Sequence, residues 1–332
     1  MGRVLITGGS GFIGSHLAER LEESGDSVAL FDLGFNSNVR NLNGQRIRGD
    51  VRDYGAVKEA IEGVDAVFHL AAVSRVAWGQ RDPHTCWLTN VMGTVNVLEA
   101  CGRSGSRPLL FYASSREVYG EPQRVPVKED AWGNPVSIYG MTKLSAERAC
   151  KTYLASSGLG NPVNYVIFRF SNVYGSERDL PERVIPNFMA KALRGEDITL
   201  FGGDQILDFM FVDDTVNGIL KAYRAAMDGR SDLFGQAFHF VTGRGVSVSQ
   251  LARLIIKATD SSSRILRSLS QDFDVRRFVG DPAKSREVLG FTSAVPLERG
   301  LEILRERLLG SSGNAAALAT RRPAVHGKDV AA

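Results

Sequence analysis

The chain opens with Met1-Gly2-Arg3-Val4-Leu5-Ile6-Thr7-Gly8-Gly9-Ser10-Gly11-Phe12-Ile13-Gly14. Its apolar run, which lacks polar alternation, predicts a parallel strand that is buried on both faces. The three spaced glycines then allow a sharp turn and a close approach of the backbone to a pyrophosphate, which the N-terminus of the next helix would bind. The sequence therefore predicts a dinucleotide site here, with contacts from Gly8, Gly11, Phe12, Ile13 and Gly14.

A second apolar run, Ser27–Asp32, ends in an acid that stands eighteen positions after Gly14. At this spacing a carboxylate can accept hydrogen bonds from both hydroxyls of the adenosine ribose. Asp32 would repel the 2′-phosphate of NADP, and the following Leu33-Gly34 offers no compensating cation. We therefore expect the cofactor to be NAD.

The composition argues against several other classes of protein. The 332 residues include 40 basic and 37 acidic side chains, and neither this balance nor any basic run is typical of a nucleic-acid-binding protein. No apolar stretch approaches the roughly 20 residues that a membrane span needs. The three cysteines show no metal-type spacing, and the N-terminus enters a strand directly, without a signal peptide. These features predict a cytoplasmic protein with reduced thiols and no bound metal.

Strands and helices alternate through the first half of the chain, which predicts an α/β fold with a Rossmann-type doubly wound parallel sheet. In the second half, prolines and glycines separate shorter elements, which predict a smaller, interleaved α/β lobe that binds the substrate. We expect the NAD-binding domain to span residues 1–170 and to include 206–242. The substrate lobe would comprise 171–205 and 243–309, and a disordered tail rich in Gly, Ser and Ala would follow at 310–332.

A candidate catalytic pair lies in the segment Tyr139-Gly140-Met141-Thr142-Lys143. The four-residue spacing places the phenol and the ammonium on one face of a helix. We expect the ammonium to lower the pKa of the Tyr139 phenol, which would make it a usable base near neutrality. Ser115 ends the preceding strand, where its hydroxyl would share the same proton.

Motifs at residues 7–14, 49–53, 69–72, 90–94, 114–120, 139–143, 169–175 and 208–214 follow one another along the chain. In order and spacing they resemble those of the extended short-chain dehydrogenase/reductases, specifically the nucleotide-sugar epimerase and dehydratase branch. The resemblance covers about residues 1 to 308. It implies an NAD-dependent enzyme that oxidises C4 of a nucleoside-diphosphate sugar to a transient 4-keto sugar.

The resemblance also implies roles for individual residues. Tyr139 would abstract the sugar hydroxyl proton, Lys143 would hold the nicotinamide ribose, and Ser115 would bond the reacting oxygen. Further cofactor contacts are implied for Asp50, Val51, Leu70, Ala71, Ala72 and Asn90, and diphosphate contacts for Asn172 and Arg276. The implied partners are the sugar nucleotide and a second copy of the chain, which would form a homodimer through helices at 86–101 and 137–155, with neither nucleic acid nor membrane involved.

Two positions depart from the pattern of this branch. Leu207 stands where members often carry an arginine, so one phosphate or base contact is missing or supplied elsewhere. After Ser115, 4-epimerases usually have small residues and 4,6-dehydratases an Asp-Glu pair, whereas this chain has Arg116-Glu117. A simple dehydratase would therefore lack its general acid, while Glu117, which uronate decarboxylases also tend to carry, remains a catalytic candidate.

These observations favour a nucleotide-sugar 4-epimerase. A 4,6-dehydratase, a UDP-glucuronate decarboxylase and a non-catalytic nucleotide-sensing protein are the alternatives. The intact Ser115, Tyr139 and Lys143 argue against the sensor, which needs no base. If Arg116 points inward, its planar guanidinium suits a C6 carboxylate, which would make it a substrate-binding residue for a hexuronate.

Overall fold

The computed structural model of the chain describes residues 2–155, 160–268 and 275–311. Its strands in chain order are β1 (Arg3–Thr7), β2 (Ser27–Asp32), β3 (Gln45–Arg48), β4 (Ala66–His69), β5 (Leu109–Ser115), β6 (Tyr165–Phe170), β7 (Asn172–Tyr174), β8 (Ile198–Phe201), β9 (Ile206–Phe211), β10 (Gln236–Phe240), β11 (Gly245–Ser247) and β12 (Ile265–Ser268). Seven of these strands form a parallel sheet in the order β10-β6-β5-β4-β1-β2-β3. This order, in which the chain winds outward from β1 in both directions, confirms the predicted Rossmann-type sheet.

Helices cover both faces of the large sheet and fill the second lobe. In chain order they are α1 (Phe12–Glu23), α2 (Tyr54–Ile61), α3 (Val76–Arg81), α4 (Pro83–Trp87), α5 (Gly93–Arg103), α6 (Ile138–Ala155), α7 (Val184–Leu193), α8 (Val212–Met227), α9 (Val248–Thr259), α10 (Ala283–Leu289) and α11 (Leu297–Ser311). No helix among the described residues is long and apolar enough to cross a membrane.

Burial of both sheet faces explains why β1 is apolar throughout. Val4 and Ile6 pack with α1 and α8 on one face, whereas Leu5 packs with α2, α5 and α6 on the other. Successive side chains of a strand point to opposite faces, so a strand between two helical layers needs an apolar residue at every position. The continuous run that marked β1 in the sequence therefore reflects its central place in the sheet.

The helix predicted at 86–101 is divided in the structure. A π-helical turn, Leu88–Met92, separates α4 from α5. Asn90 lies in this turn and is buried, with its side-chain amide bonded to the backbone of Val73. Such a wide turn often occurs near functional sites, and its neighbours here are the loop after β4 and helix α6.

The smaller lobe is built around two short sheets. Strands β7, β9 and β11 form one, and β8 and β12 form the other. Helices α7, α9 and α11 pack on them around an apolar cluster that includes Phe188, Leu251 and Leu304. The chain returns to the large sheet through β10, whereas β9 stays in the small lobe, so the two lobes interleave. Residues 312–332 of the predicted tail lie outside the described residues.

The glycine turn between β1 and α1 is packed so closely that it leaves no room for side chains at its glycines. Gly8 has φ +72°, a conformation that favours glycine. A Cβ atom at Gly11 would lie 3.1 Å from the Gly8 carbonyl oxygen, and one at Gly14 would collide with the same oxygen. The predicted spacing of three glycines is therefore a steric requirement for bringing α1 against the end of β1.

Gly14→Ala is expected to lower the free energy of unfolding by about 1–3 kcal/mol, the usual cost of overpacking, and to reduce NAD binding, since the added methyl pushes α1 from the turn. Gly34→Ala is the matched control because a Cβ atom there meets nothing within 4 Å. Thermal denaturation and the nucleotide content of the purified variants measure both effects. Equal stability of the two variants would contradict this account of the turn.

Candidate active site

The glycine turn and Asp32 come together at the carboxyl edge of the large sheet. The Asp32 carboxylate accepts the N–H of Ser10 at 2.9 Å, so it fastens the turn to the end of β2. Burial raises the pKa of Asp32, although the N–H groups of Ser10, Leu33 and Gly34 act in the opposite direction. The side chain is half-buried at the open edge, where it can accept the ribose hydroxyls.

The turn fits the pyrophosphate of NAD. The Ser10 hydroxyl oxygen is buried and has no hydrogen-bond partner among the described residues, which leaves a donor for a phosphate oxygen. Phe12 and Ile13 form the first turn of α1, whose free N–H groups and partial positive charge favour an anion. The structure thus brings together the five residues of this loop that the sequence predicted for the cofactor.

The loop after β3 follows the strand that pairs with β2, and Asp32 is the last residue of β2. The Asp50 carboxylate accepts hydrogen bonds from the N–H and guanidinium of Arg52. Partial burial raises the pKa of Asp50, but these bonds outweigh it and hold the pKa below its usual value. The Val51 carbonyl accepts the Asn96 side-chain amide at 2.9 Å. Gly93 packs directly on Val51, where a Cβ atom would lie 2.7 Å from its side chain. Contacts within the protein therefore hold the loop after β3 in place.

The segment after β4 is aligned by a buried hydrogen-bond chain. His69 Nδ1 is 2.7 Å from Thr7 Oγ1, and its Nε2 is 3.0 Å from Thr94 Oγ1. Burial lowers the pKa of His69 to about 3, so the ring is neutral. Thr7 Oγ1 also accepts the N–H of Ala71 at 3.3 Å. These hydrogen bonds hold Leu70, Ala71 and Ala72, the segment predicted for the cofactor cleft, beside the glycine turn.

The side-chain amide of Asn90, another cofactor candidate, makes several hydrogen bonds within the protein. Its Oδ1 accepts the N–H of Val73 at 2.8 Å, while Nδ2 donates to the Val73 carbonyl at 3.2 Å and to Thr142 Oγ1 at 3.0 Å. Thr142 precedes Lys143 on α6. In this structure the Asn90 amide therefore ties the loop after β4 to the catalytic helix.

Ser115, Tyr139 and Lys143 meet as predicted where β5 ends against α6. All three are buried, and Lys143 is only 3% exposed. Lys143 Nζ donates to the Ala113 carbonyl at 2.8 Å and lies 5.9 Å from the centre of the Tyr139 ring. Burial lowers the pKa of Lys143 to about 8, although nearby groups that include Glu147 act in the opposite direction.

The structure does not show the expected lowering of the Tyr139 pKa by Lys143. Burial raises the pKa of Tyr139 to about 12, because a phenolate is disfavoured away from water. The hydrogen bond with Ser115 and the charge of Arg183 oppose this rise, whereas Glu117 adds to it. The sequence identified the neighbours of the phenol but could not reveal how completely they are buried.

Arg116 and Glu117 form an ion pair beside the catalytic groups. The Arg116 Nη2–Glu117 Oε1 distance is 2.8 Å, and the two side chains are 12% and 8% exposed. The Arg116 guanidinium also lies 5.7 Å from the centre of the Phe278 ring. Its Nη1 is buried and lacks a hydrogen-bond partner within the described ranges. Arg116 therefore does not extend into solvent, and it retains an unused donor.

The two residues predicted to bind the diphosphate lie in the small lobe. Asn172 Nδ2 donates to the Asp208 carbonyl at 3.0 Å. Arg276 has an exposed side chain, and its backbone N–H is bonded to Glu121 Oε2 at 2.7 Å. Leu207, which departs from the pattern of the branch, is half-buried in β9. Asn172 lies in β7 opposite Phe209 of β9, the strand that carries Leu207, and the Arg276 side chain is exposed.

Arg183 is a charged neighbour of the site that the sequence analysis missed. It precedes α7, and its Nε is 3.5 Å from the buried Asp179 carboxylate. Its charge acts on Tyr139, although 44 residues separate the two in the chain. No local pattern indicates this contact, because it depends on how the small lobe closes over the sheet.

A glycine turn typical of dinucleotide sites stands beside a buried serine, tyrosine and lysine, a set suited to proton transfer with a substrate hydroxyl. A model of the NAD-dependent epimerase/dehydratase family matches residues 4–234. The chain belongs to this family, which confirms the predicted class of enzyme and NAD as its cofactor.

Individual relatives within the family carry out different reactions. UDP-glucuronic acid decarboxylase 1 of Xenopus tropicalis is 34% identical, over 90% of this chain and 70% of the relative. The structure of UDP-glucose 4-epimerase from Thermotoga maritima with UDP-glucose is 31% identical, with a TM-score of 0.85 over 93% of this chain and 99% of that chain. UDP-glucuronic acid 4-epimerase from Bacillus cereus, with UDP-glucuronic acid and NAD, is 28% identical, with a TM-score of 0.83 over 93% and 99%. The family is therefore shown, while the reaction depends on residues particular to this chain.

Tyr139→Phe is expected to lower turnover of a sugar nucleotide by about 10²–10⁴-fold, the usual contribution of a positioned base. Folding and NAD binding should stay near wild type because only the hydroxyl is lost. Tyr153→Phe on the same helix is the control. Initial rates, circular dichroism and NAD titration distinguish the effects, and a Tyr139→Phe variant with a tenth or more of wild-type activity would refute the assignment.

Proposed function

We propose that this protein is an NAD-dependent 4-epimerase of a UDP-hexuronate. The observation that carries the proposal is the buried Arg116 guanidinium beside Ser115 and Glu117, with Nη1 left as an unused donor. A guanidinium is planar and binds a carboxylate through two parallel hydrogen bonds. A C6 carboxylate supplies such a partner, whereas the C6 hydroxyl of a neutral hexose does not.

The catalytic roles follow from the positions of the buried groups. Tyr139 would take the proton of the C4 hydroxyl, and Ser115, bonded to the phenol, would hold the same oxygen. Lys143 is mostly an ammonium below its pKa of about 8, where it would hold the nicotinamide ribose. NAD, when bound, supplies the reversible removal of hydride from C4. Asn172 and Arg276 would bind the diphosphate.

Arg116 also separates this proposal from a dehydratase. Elimination of a C6 hydroxyl needs a general acid, and a guanidinium does not give up its proton in proteins. Arg116, paired with Glu117 at 2.8 Å, stands at the position where the dehydratase pattern has its acid. This arrangement favours retention of the C6 group.

A decarboxylase is the second candidate, because the Xenopus tropicalis relative carries that name. A 4-keto hexuronate is a β-keto acid, and loss of carbon dioxide moves its negative charge from the carboxylate into the ring. A cation bound to the carboxylate stabilises the negative charge there in the ground state. Because decarboxylation moves that charge into the ring, such a cation opposes the reaction. The unused Arg116 donor therefore supports epimerisation over decarboxylation. A nucleotide sensor is disfavoured by the buried serine, tyrosine and lysine.

The test compares UDP-glucuronate with UDP-glucose on wild type, Arg116→Ala and Arg116→Lys, with the exposed Arg124→Ala as the control. Wild type should convert UDP-glucuronate to its C4 epimer and prefer it to UDP-glucose. Arg116→Ala should weaken that preference by about 10-fold or more, since a charge-assisted hydrogen bond contributes about 1.5–3 kcal/mol. Arg116→Lys should restore only part of the preference, because an ammonium cannot form the two parallel hydrogen bonds of a guanidinium.

Products followed by NMR and mass spectrometry give the outcomes. An unchanged preference in Arg116→Ala would remove the basis for a hexuronate. Loss of carbon dioxide from wild type would identify a decarboxylase, and loss of water a dehydratase; either product would overturn the epimerase.

We further propose that the protein works as a homodimer in the cytoplasm. Trp87, Met92 and Met141 are exposed on α4, the π-helical turn and α6, and an apolar surface of this kind suits a contact between copies. Light scattering at micromolar concentration should give the dimer mass, and Met92→Glu should shift it toward the monomer. A monomeric wild type would contradict the dimer.

A further inference from the structure

Glu147 is a buried carboxylate that lies one helical turn beyond Lys143 on α6. It accepts the Ser114 hydroxyl at 2.5 Å and the Arg169 Nε and Nη2 groups at 2.9 and 2.6 Å. Ser114 precedes Ser115 on β5, and the sheet register places it opposite Arg169 on β6. One carboxylate therefore joins α6, which carries the phenol and the ammonium, to the strand that carries the serine.

The other side of Arg169 extends this network around the site. Its Nη1 donates to the Tyr119 hydroxyl at 2.5 Å and to the Glu129 carbonyl at 2.6 Å. The Tyr119 hydroxyl is in turn 2.6 Å from His239 Nε2 on β10. Tyr119 ends the short helical turn that follows Ser115. The network thus holds the chain on both sides of Ser115, at Ser114 before it and at Tyr119 after it.

We infer that Glu147 is a positioning residue for the reaction: it fixes the strand end carrying Ser115 against the helix carrying Tyr139 and Lys143, and its charge supports the Lys143 ammonium. The inference rests on the proposed function only in taking these three groups as the reacting ones. A displacement of about 1 Å at such groups can cost about 10²-fold in rate.

The charge of Glu147 acts on Lys143 through the protein interior. The titratable groups that face Lys143 are Glu147 and Cys150 on α6 itself, Cys86 on α4 and His69 on β4, and its ammonium also contacts the Tyr112 and Tyr139 rings. Glu147 is the carboxylate of this set. Neutralising Glu147 removes an attraction on the ammonium, so the Lys143 pKa should fall.

Glu147→Gln should lower kcat by about 10–10²-fold with little change in KM, because positioning acts on the chemical step and the substrate contacts lie elsewhere. Lys143 works as an ammonium, so activity is lost as the pH rises through its pKa. The fall should therefore begin at a pH about one unit lower in Glu147→Gln. Lys151→Gln, an exposed change one turn further along α6, should leave the profile unchanged.

Two further measurements guard against misfolding and against a wrong substrate. Ser114→Ala keeps the ion pair between Glu147 and Arg169 and removes only the hydrogen bond between Glu147 and β5. It should therefore lower kcat without shifting the pH at which activity falls. The Lys143 titration can be followed without substrate by NMR of ε-¹³C-lysine, with Lys143→Arg to assign the signal, and its midpoint should fall in folded Glu147→Gln.

The outcomes separate the inference from the proposed function. A wild type inactive on UDP-hexuronates would refute the proposed substrate, whereas the lysine titration would still decide the role of Glu147. An unshifted Lys143 titration in folded Glu147→Gln, or an unchanged kcat on whichever substrate the wild type accepts, would overturn the inference.

Discussion

Removal of water from the polar groups at the carboxyl edge of the sheet is the constraint on which the site depends. Burial disfavours the charged form of each group, so it lowers the pKa values of Lys143 and His69 and raises that of Tyr139. Each neighbouring contact then has a large effect, because the dielectric is low. The Ala113 carbonyl on Lys143 and the Ser115 hydroxyl on Tyr139 are therefore as much a part of the chemistry as the side chains that they hold.

The parallel sheet makes this arrangement possible with few residues. Because all seven strands run in one direction, the glycine turn after β1, Asp32 at the end of β2 and Ser115 at the end of β5 share one edge. The alternation of side chains along β5 then divides two adjacent serines between different tasks. Ser114 bonds the carboxylate of Glu147 within the layer of helix α6, and Ser115 reaches Tyr139 past the end of the strand.

The parts of the site that the sequence predicted are those encoded locally. The glycine spacing, the acid after β2 and the four-residue interval from Tyr139 to Lys143 each act within one turn, strand or helix. Contacts such as those of Arg183 and Glu147 join elements far apart in the chain, and no short pattern records them. The predicted lowering of the Tyr139 pKa is wrong for a related reason: the sequence shows which charges are near, whereas burial depends on the whole fold. Asn90 stays a predicted cofactor contact, but no sequence pattern indicated that it lies in a π-helical turn.

The charged pair of Arg116 and Glu117 lies near the Tyr139 phenol and, under the proposed function, would link substrate binding to the pKa of the base. The charge of Glu117 raises the Tyr139 pKa, and Arg116 partly offsets that charge through the 2.8 Å ion pair. Since the Arg116 guanidinium has five N–H donors, it can bind a carboxylate through Nη1 while keeping its bond to Glu117. A neutral hexose would leave this buried donor without a partner, at a cost of about 1–3 kcal/mol for an unsatisfied polar group. Under the proposed function, the donor that would disfavour the hexose would also give a hexuronate its advantage in binding.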